Sequence, residues 1–345
     1  MINKQSWIYS KWIDSIFILL PPYAILLLIS IFQKQVLVAE NHYSFYTWLF
    51  FIVFVDVAHV YATLFKIYFK PKIFQERKRL YTFLPIVCFV IGLILFSFGS
   101  LVFWRVLAYL AVFHFIRQQY GFMRLYSRGE YSNTLCKCID NAVIYAGTSY
   151  PILYWFINGE RNFNWFVDNE FWQIKGLTYL PYLEITYYLI LFSYIVKTLI
   201  ISIKTRSFNI PKNVLILGTC LSWYFGIVYY NDDLMFTALN VVSHGIPYIA
   251  LVYLKEIKTT PRNSFNHFWR SFSPLGMLVA YIVFLLSIAF FEEFLWEGLV
   301  WNSNIKIGWT DTLDPKWQLL WVPLLSVPQF THYILDGIIW KRKKQ

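Results

Sequence analysis

Residues 83–98 read FLPIVCFVIGLILFSF, a run without one charged side chain. Two more runs of this kind stand at 15–32, SIFILLPPYAILLLISIF, and at 277–291, MLVAYIVFLLSIAFF. Such runs meet the length needed to cross a bilayer core of about 30 Å. They decide the fold class: an all-α, polytopic integral membrane protein.

Composition agrees. The 345 residues are 58% hydrophobic, 21% aromatic and only 14% charged, and mean hydropathy is +0.49. A soluble protein carries about 25% charge, and no water-soluble domain of any size fits between the apolar runs. The expectation is a single helical membrane domain over 1–345. Ten spans are marked, roughly 14–32, 44–69, 81–98, 101–126, 139–157, 179–203, 213–230, 234–254, 273–291 and 317–340. The first has Lys4 and Lys11 before it, as a signal peptide would. It is longer than a signal-peptide core and continues through Pro21-Pro22, so it reads as an uncleaved span.

Net charge is +11, and the cations sit in short loops beside apolar runs, where they set topology. Loops after even-numbered spans carry them: Lys66, Lys70, Lys72, Arg77, Lys78 and Arg79; Arg124, Arg128 and Lys137; Lys197, Lys204, Arg206 and Lys212; Lys255, Lys258, Arg262 and Arg270; and the terminal KRKK. The opposite loops carry acids, among them Asp168, Glu170, Asp232, Asp233, Glu292, Glu293, Glu297, Asp311 and Asp314. Both termini are therefore expected on the cytoplasmic side. The charge pattern shows no nucleic-acid footprint; anionic membrane lipid is the partner it favours.

Cys88 and Cys220 lie in apolar spans, where a free thiol behaves as a small hydrophobe. Cys136 and Cys138 form a C-x-C in a basic loop without a second pair, a poor metal signal. Two longer outer loops, 158–178 and 292–316, are rich in Trp and acids, as an interfacial aromatic belt is. Pro21, Pro22, Pro247, Pro323 and Pro328 fall within spans and are expected to kink helices around a cavity.

Four histidines stand alone inside separate spans: His59 in DVAH, His114 in FHFIRQQYG, His244 in NVVSHGIPY and His332 in PQFTHYILD. An ionisable group in hydrocarbon is a functional-site hypothesis by default. All four lie on even spans, which run in one direction. His59 precedes Lys70 by 11 residues, His114 precedes Arg124 by 10, His244 precedes Lys255 by 11 and His332 precedes Lys341 by 9. At about 1.5 Å per residue they occupy one layer roughly 14–17 Å below the basic ends. A lone histidine in a span is often a hydrogen-bonded packing residue. Four in one layer point to a shared metal ion, and imidazole suits Fe, Cu or Zn. His42 and His267 fall in loops and receive no role.

Polar residues share each histidine's helical face: Asp56 and Thr63 with His59, Gln118 with His114, Asn240 and Tyr248 with His244, Gln329 and Asp336 with His332. Ligating histidines normally hand their second N–H to such groups. Arg117, three residues after His114, has three readings: reaching the membrane surface, pairing with Asp336, or binding an anionic ligand group. Asp56, Arg117 and Asp336 are the candidate catalytic residues, and Gln118, Asn240, Tyr248 and Gln329 the candidates for orienting the cofactor.

The arrangement of His59, His114, His244 and His332 resembles that of the bacterial Brp/Blh-type carotenoid dioxygenases, multi-spanning proteins whose single iron is held by four intramembrane histidines. In that family two ligands sit close together on one helix, whereas here the four are separate. The resemblance implies a non-haem iron oxygenase acting on a lipophilic, lipid or isoprenoid substrate in a bacterial inner membrane. Clustered histidine boxes of desaturases and H-E-x-x-H are absent. No span carries the two histidines of a cytochrome b bundle, although one haem between two of the four stays open. Two other readings remain: a proton-coupled transporter using the same His, Asp and Arg residues, and an acyl- or glycosyl-transferring enzyme with His244 or His332 as base and Asp336 as its orienter.

Overall fold

A computed structural model describes residues 5–32, 44–131, 133–158, 162–174, 176–261, 264–265, 267–303 and 314–339. Among the described residues every regular element is helical. In chain order they are α1 Lys11–Leu19, α2 Pro21–Ile31, α3 Phe45–Lys66, α4 Pro71–Glu76, α5 Lys78–Ser97, α6 Ser100–Tyr126, α7 Thr134–Asn158 and α8 Leu177–Thr205. There follow α9 Ile210–Trp223, which runs on as a π-helical stretch Tyr224–Tyr229, then α10 Asp233–Lys258, α11 His267–Arg270, α12 Pro274–Trp301, α13 Pro315–Leu325 and α14 Val327–Ile339.

Among these, α3, α5, α6, α8, α10 and α12 are each long and apolar enough to cross a bilayer. The pair α1 and α2 is a further candidate, bent by 53° where Pro21-Pro22 restarts the helix. The remaining expected spans are helical over 139–157, 213–229 and, apart from Ser326, 317–339. However, α7 carries Asp140 in its apolar length, and the last span is broken at Ser326 between α13 and α14. The terminal KRKK, His42 and Asp311 lie outside the described residues.

Helix α12 runs past the expected boundary at 291 as far as Trp301. Glu292, Glu293 and Glu297, read from sequence as acids of an outer loop, are helical and buried instead. Glutamate is a good helix former, and no breaker stands between Phe291 and Glu297.

Several prolines sit inside helices, and where the structure shows how the freed carbonyl is met, a side chain does it. Proline lacks an N–H and so leaves the carbonyl four residues back without its ladder donor. Behind Pro85 of α5, the Tyr81 carbonyl accepts from the Tyr68 hydroxyl at 2.9 Å. Behind Pro247 of α10, the Ser243 carbonyl accepts from Gln119 Nε2 at 3.3 Å. Such substitution is what lets an apolar span hold a proline.

The chain divides into two compact units, Met1–His42 with Val112–His244, and Tyr43–Ala111 with Gly245–Gln345. In the first unit α7 packs on α8 and α9. Tyr150 stacks on Tyr187 at 4.2 Å. Gly147 lies where a Cβ would come within 2.6 Å of Cys220 Sγ, so α7 and α9 approach this closely only because the side chain is missing. A buried ion network ties the same three helices. Lys212 Nζ reaches Glu130 at 2.5 Å and Asp140 at 3.5 Å, and Lys197 Nζ reaches Asp140 at 2.5 Å.

The second unit has an aromatic core in which Phe65 of α3 touches Trp269, Tyr281 and Phe69 at 4.7–4.9 Å between centroids. Its ion cluster joins α3 to α10: Lys66 and Lys70 each take one oxygen of Glu256, at 2.6 and 2.9 Å. Burial pulls the Lys70 ammonium below its usual range, and Glu256 pulls it back up.

Candidate functional site

All four span histidines are buried, at 0–3% exposure. Each unit brings two of them together. In the first unit α6 supplies His114 and α10 supplies His244, their rings 4.8 Å apart and nearly perpendicular. Phe115 stacks on His244 at 3.9 Å, which fixes the plane of that imidazole.

The backbone around His244 is irregular on both sides. A π-helical turn, Thr237–Val241, comes one turn before it, and Pro247 comes three residues after. Amide side chains tie down what these irregularities leave. Gln118 Nε2 donates to the His244 carbonyl at 3.1 Å, and Gln119 to the Ser243 carbonyl. Asn240 Nδ2 donates to the carbonyls of Ser222 and Phe236 at 3.2 and 3.3 Å. Gln118 and Asn240 thus hold main chain in this unit.

Arg117 is exposed. Its guanidinium donates to the Tyr145 hydroxyl at 2.5 Å and lies over the Tyr120 ring at 4.6 Å.

In the second unit α3 supplies His59 and α14 supplies His332, with ring centroids 4.9 Å apart and again edge to face. Tyr248 of α10 stands against both, at 5.9 and 5.1 Å. The Thr63 hydroxyl lies 2.8 Å from His332 Nδ1 and 3.1 Å from the Tyr248 hydroxyl. Thr63 shares a helical face with His59, yet it serves His332 across the seam. Asp56 Oδ1 stands 3.7 Å from His59 Nδ1, within ion-pair range. Asp336 is part-buried one turn beyond His332.

Helix α3 also carries a π-helical stretch, Leu49–Val57, ending two residues before its histidine. Close approach there depends on Gly245, where a Cβ would meet the Val55 carbonyl oxygen at 2.6 Å.

Residues not singled out from sequence complete this region. Glu292 accepts from the Tyr61 hydroxyl at 2.5 Å, from Gln329 Nε2 at 2.5 Å and from Trp296 Nε1 at 3.2 Å. Gln329 therefore serves a carboxyl group. The available signal was the Glu292-Glu293 pair directly after an apolar run of helix-forming residues. Gln119 was missed as well; its signal was a second amide beside Gln118 inside a span.

Buried imidazoles are a donor set for Fe, Cu or Zn. The first unit offers two such rings, His114 and His244, and the second two more, His59 and His332. The tautomer of His332 that donates its Nδ1–H to the Thr63 hydroxyl has Nε2 left for ligation. The donor set fits a metal. No protein-family model, curated protein or solved structure matches this chain, so the site is read from its own residues.

Proposed function

We propose that this protein is a membrane-embedded metalloenzyme with His59, His114, His244 and His332 as metal ligands, acting as a non-haem iron oxygenase on a lipophilic substrate. One observation carries the reading: each unit, taken alone, packs two helices so that two buried imidazoles meet edge to face. Burying polar rings in hydrocarbon is costly, and ligation to a cation offsets that cost.

Iron, when bound, supplies the dioxygen chemistry. The chain's own residues do the rest. Thr63 and Tyr248 orient His332, Asp56 faces His59, Phe115 clamps His244, and Gln118 and Asn240 hold the backbone that carries it. The same proposal takes the chain as a ten-span protein of a bacterial inner membrane with both termini in the cytoplasm, in keeping with its alternating basic and acidic loops.

Metal analysis tests it. Protein purified under reducing, iron-replete conditions is expected to hold about one equivalent of iron per chain, lost in His244→Ala and in His332→Ala alike. Folded protein that stays free of metal under those conditions overturns the proposal, and a Soret band replaces iron with haem.

A second reading, a proton-coupled transporter, draws on the buried Glu292 carboxyl with its Tyr61 and Gln329 donors. Substrate uptake into proteoliposomes that follows a proton gradient and ignores chelators would favour it.

A further inference from the structure

The first unit encloses a small cavity of about 10 Å³ between α1, α2, α6, α9 and α10. One wall is Phe115, the residue stacked on His244; the polar part is Gln119, Thr219, Ser222, Asn240 and Ser243. Five polar side chains converging on one hole inside apolar helices need an explanation.

Each of the five donates inside the fold. Thr219 donates to Gln119 Oε1 at 3.1 Å and Gln119 to the Ser243 carbonyl at 3.3 Å. Ser222 donates to the Gly218 carbonyl at 2.9 Å and Ser243 to the Leu239 carbonyl at 2.5 Å. Both serine hydroxyls thus keep lone pairs and have no hydrogen left to offer.

Asn240 differs in its acceptor. Its Nδ2 donates to two carbonyls, which fixes the orientation of the amide. Its Oδ1 is buried with no donor among the described residues, in a side chain only 3% exposed. Gly226 is shaped to it, since a Cβ there would lie 3.0 Å from Asn240 Nδ2. The position is built, yet one strong acceptor in it is unmet.

A ligand here must be small and must donate a hydrogen to Asn240 Oδ1. A volume near 10 Å³ admits one water, and a buried water needs two to four polar partners. We propose that the cavity is a hydration site in which one water donates to Asn240 Oδ1 and to a lone pair of Ser222 or Ser243. A sodium ion would use the same oxygens, but no carboxylate lines the cavity to offset its charge. The site does not depend on metal binding by the histidines.

Synchrotron hydroxyl-radical footprinting of the full chain in lipid nanodiscs tests this, because radicals form from bound water in place and label the side chains against it. Wild-type protein is expected to label Trp223 and Phe115 although they are only 2% and 7% exposed. That labelling is expected to fall several-fold in Asn240→Leu, with Trp172, 58% exposed, unchanged. Ser222→Ala keeps the Asn240 amide in place and guards against misfolding; it is expected to give an intermediate loss. Unlabelled Trp223 and Phe115 in wild type, or equal labelling in wild type and both variants, overturns the proposal. So does a melting temperature that rises with NaCl and not with choline chloride, which would assign the cavity to sodium.

Discussion

The two units solve one problem, holding a pair of imidazoles inside hydrocarbon, by different means. In the first, the polar side chains nearest His244 grip main-chain carbonyls, and an aromatic ring holds the imidazole plane. In the second, a hydroxyl meets the His332 ring directly and a carboxyl faces the His59 ring. The difference follows from the helices. Helix α10 is interrupted by a π-helical turn and a proline close to His244, so amides there are needed for the backbone. Helix α3 is π-helical as far as Val57 but regular around Thr63, where no proline frees a carbonyl, so the Thr63 side chain is available for the neighbouring rings. A site can thus be positioned through its backbone or tuned through its rings, and this molecule does both.

The largest effect that would sharpen this contrast lies in the ion clusters. Lys212 is fully buried against Glu130 and the deeply buried Asp140, so Lys212→Ala takes this cation from Glu130, leaves Asp140 with Lys197 and is expected to cost about 3–5 kcal/mol. Glu256, 18% exposed with Lys66 and Lys70, is partly solvated, and Glu256→Gln is expected to cost less. Thermal unfolding with limited proteolysis measures both; first cuts inside 112–244 are expected for the Lys212 variant. Equal losses in the two variants would mean that the clusters do not differ as their burial indicates.

Next comes ring tuning. Thr63→Val removes the hydroxyl on His332 Nδ1 and is expected to weaken metal binding about 10–100-fold. Gln118→Leu, acting on a carbonyl, is expected to weaken it less. Competition with a chelator of known affinity reads both, and the reverse order would dissolve the distinction between the units.

Close approach gives a smaller pair. Gly245→Ala drives a methyl toward the Val55 carbonyl and is expected to destabilise by about 1–3 kcal/mol. Gly121→Ala in α6 has nothing within 4 Å and is expected to gain up to about 1 kcal/mol from helix propensity. Melting temperatures in one detergent compare them.

The smallest effect concerns proline carbonyls. Tyr68→Phe in the second unit and Gln119→Leu in the first each remove a donor, at about 0.5–1.5 kcal/mol. Pro85→Ala should cancel the first loss and Pro247→Ala the second, because the restored N–H replaces the side chain. A double-mutant cycle measures this.

Much of the fold was legible in the sequence, because an apolar run long enough to span a membrane has few other ways to satisfy its backbone. The burial of His59, His114, His244 and His332 was legible for the same reason. Which imidazole meets which was not: His59 and His332 are joined by packing between helices remote in sequence. Same-face spacing also misled in detail. It placed Thr63 and Gln118 on the correct seam but could not say which group across that seam they would bond, and both serve a histidine other than the one beside them in sequence. The π-helical stretches had no signature in the sequence. The Lys197–Asp140–Lys212 network was only hinted at, by charges at the edges of apolar runs.

Neither unit is one continuous stretch of chain: the first resumes at Val112 and the second at Gly245. During synthesis this sets a waiting time. His59 and Thr63 leave the ribosome roughly 270 residues before His332, on the order of 10–50 s at ordinary elongation rates. Lys66 and Lys70 likewise wait for Glu256. For that interval α3 carries its imidazole and two ammonium groups without the partners they meet in the finished protein, so the nascent chain passes through a stage when this helix is least at home in lipid. A membrane chaperone or the insertion machinery that shields polar groups in lipid has reason to act at α3 in that interval, and also at α5, which is made early and packs on α13 and α14.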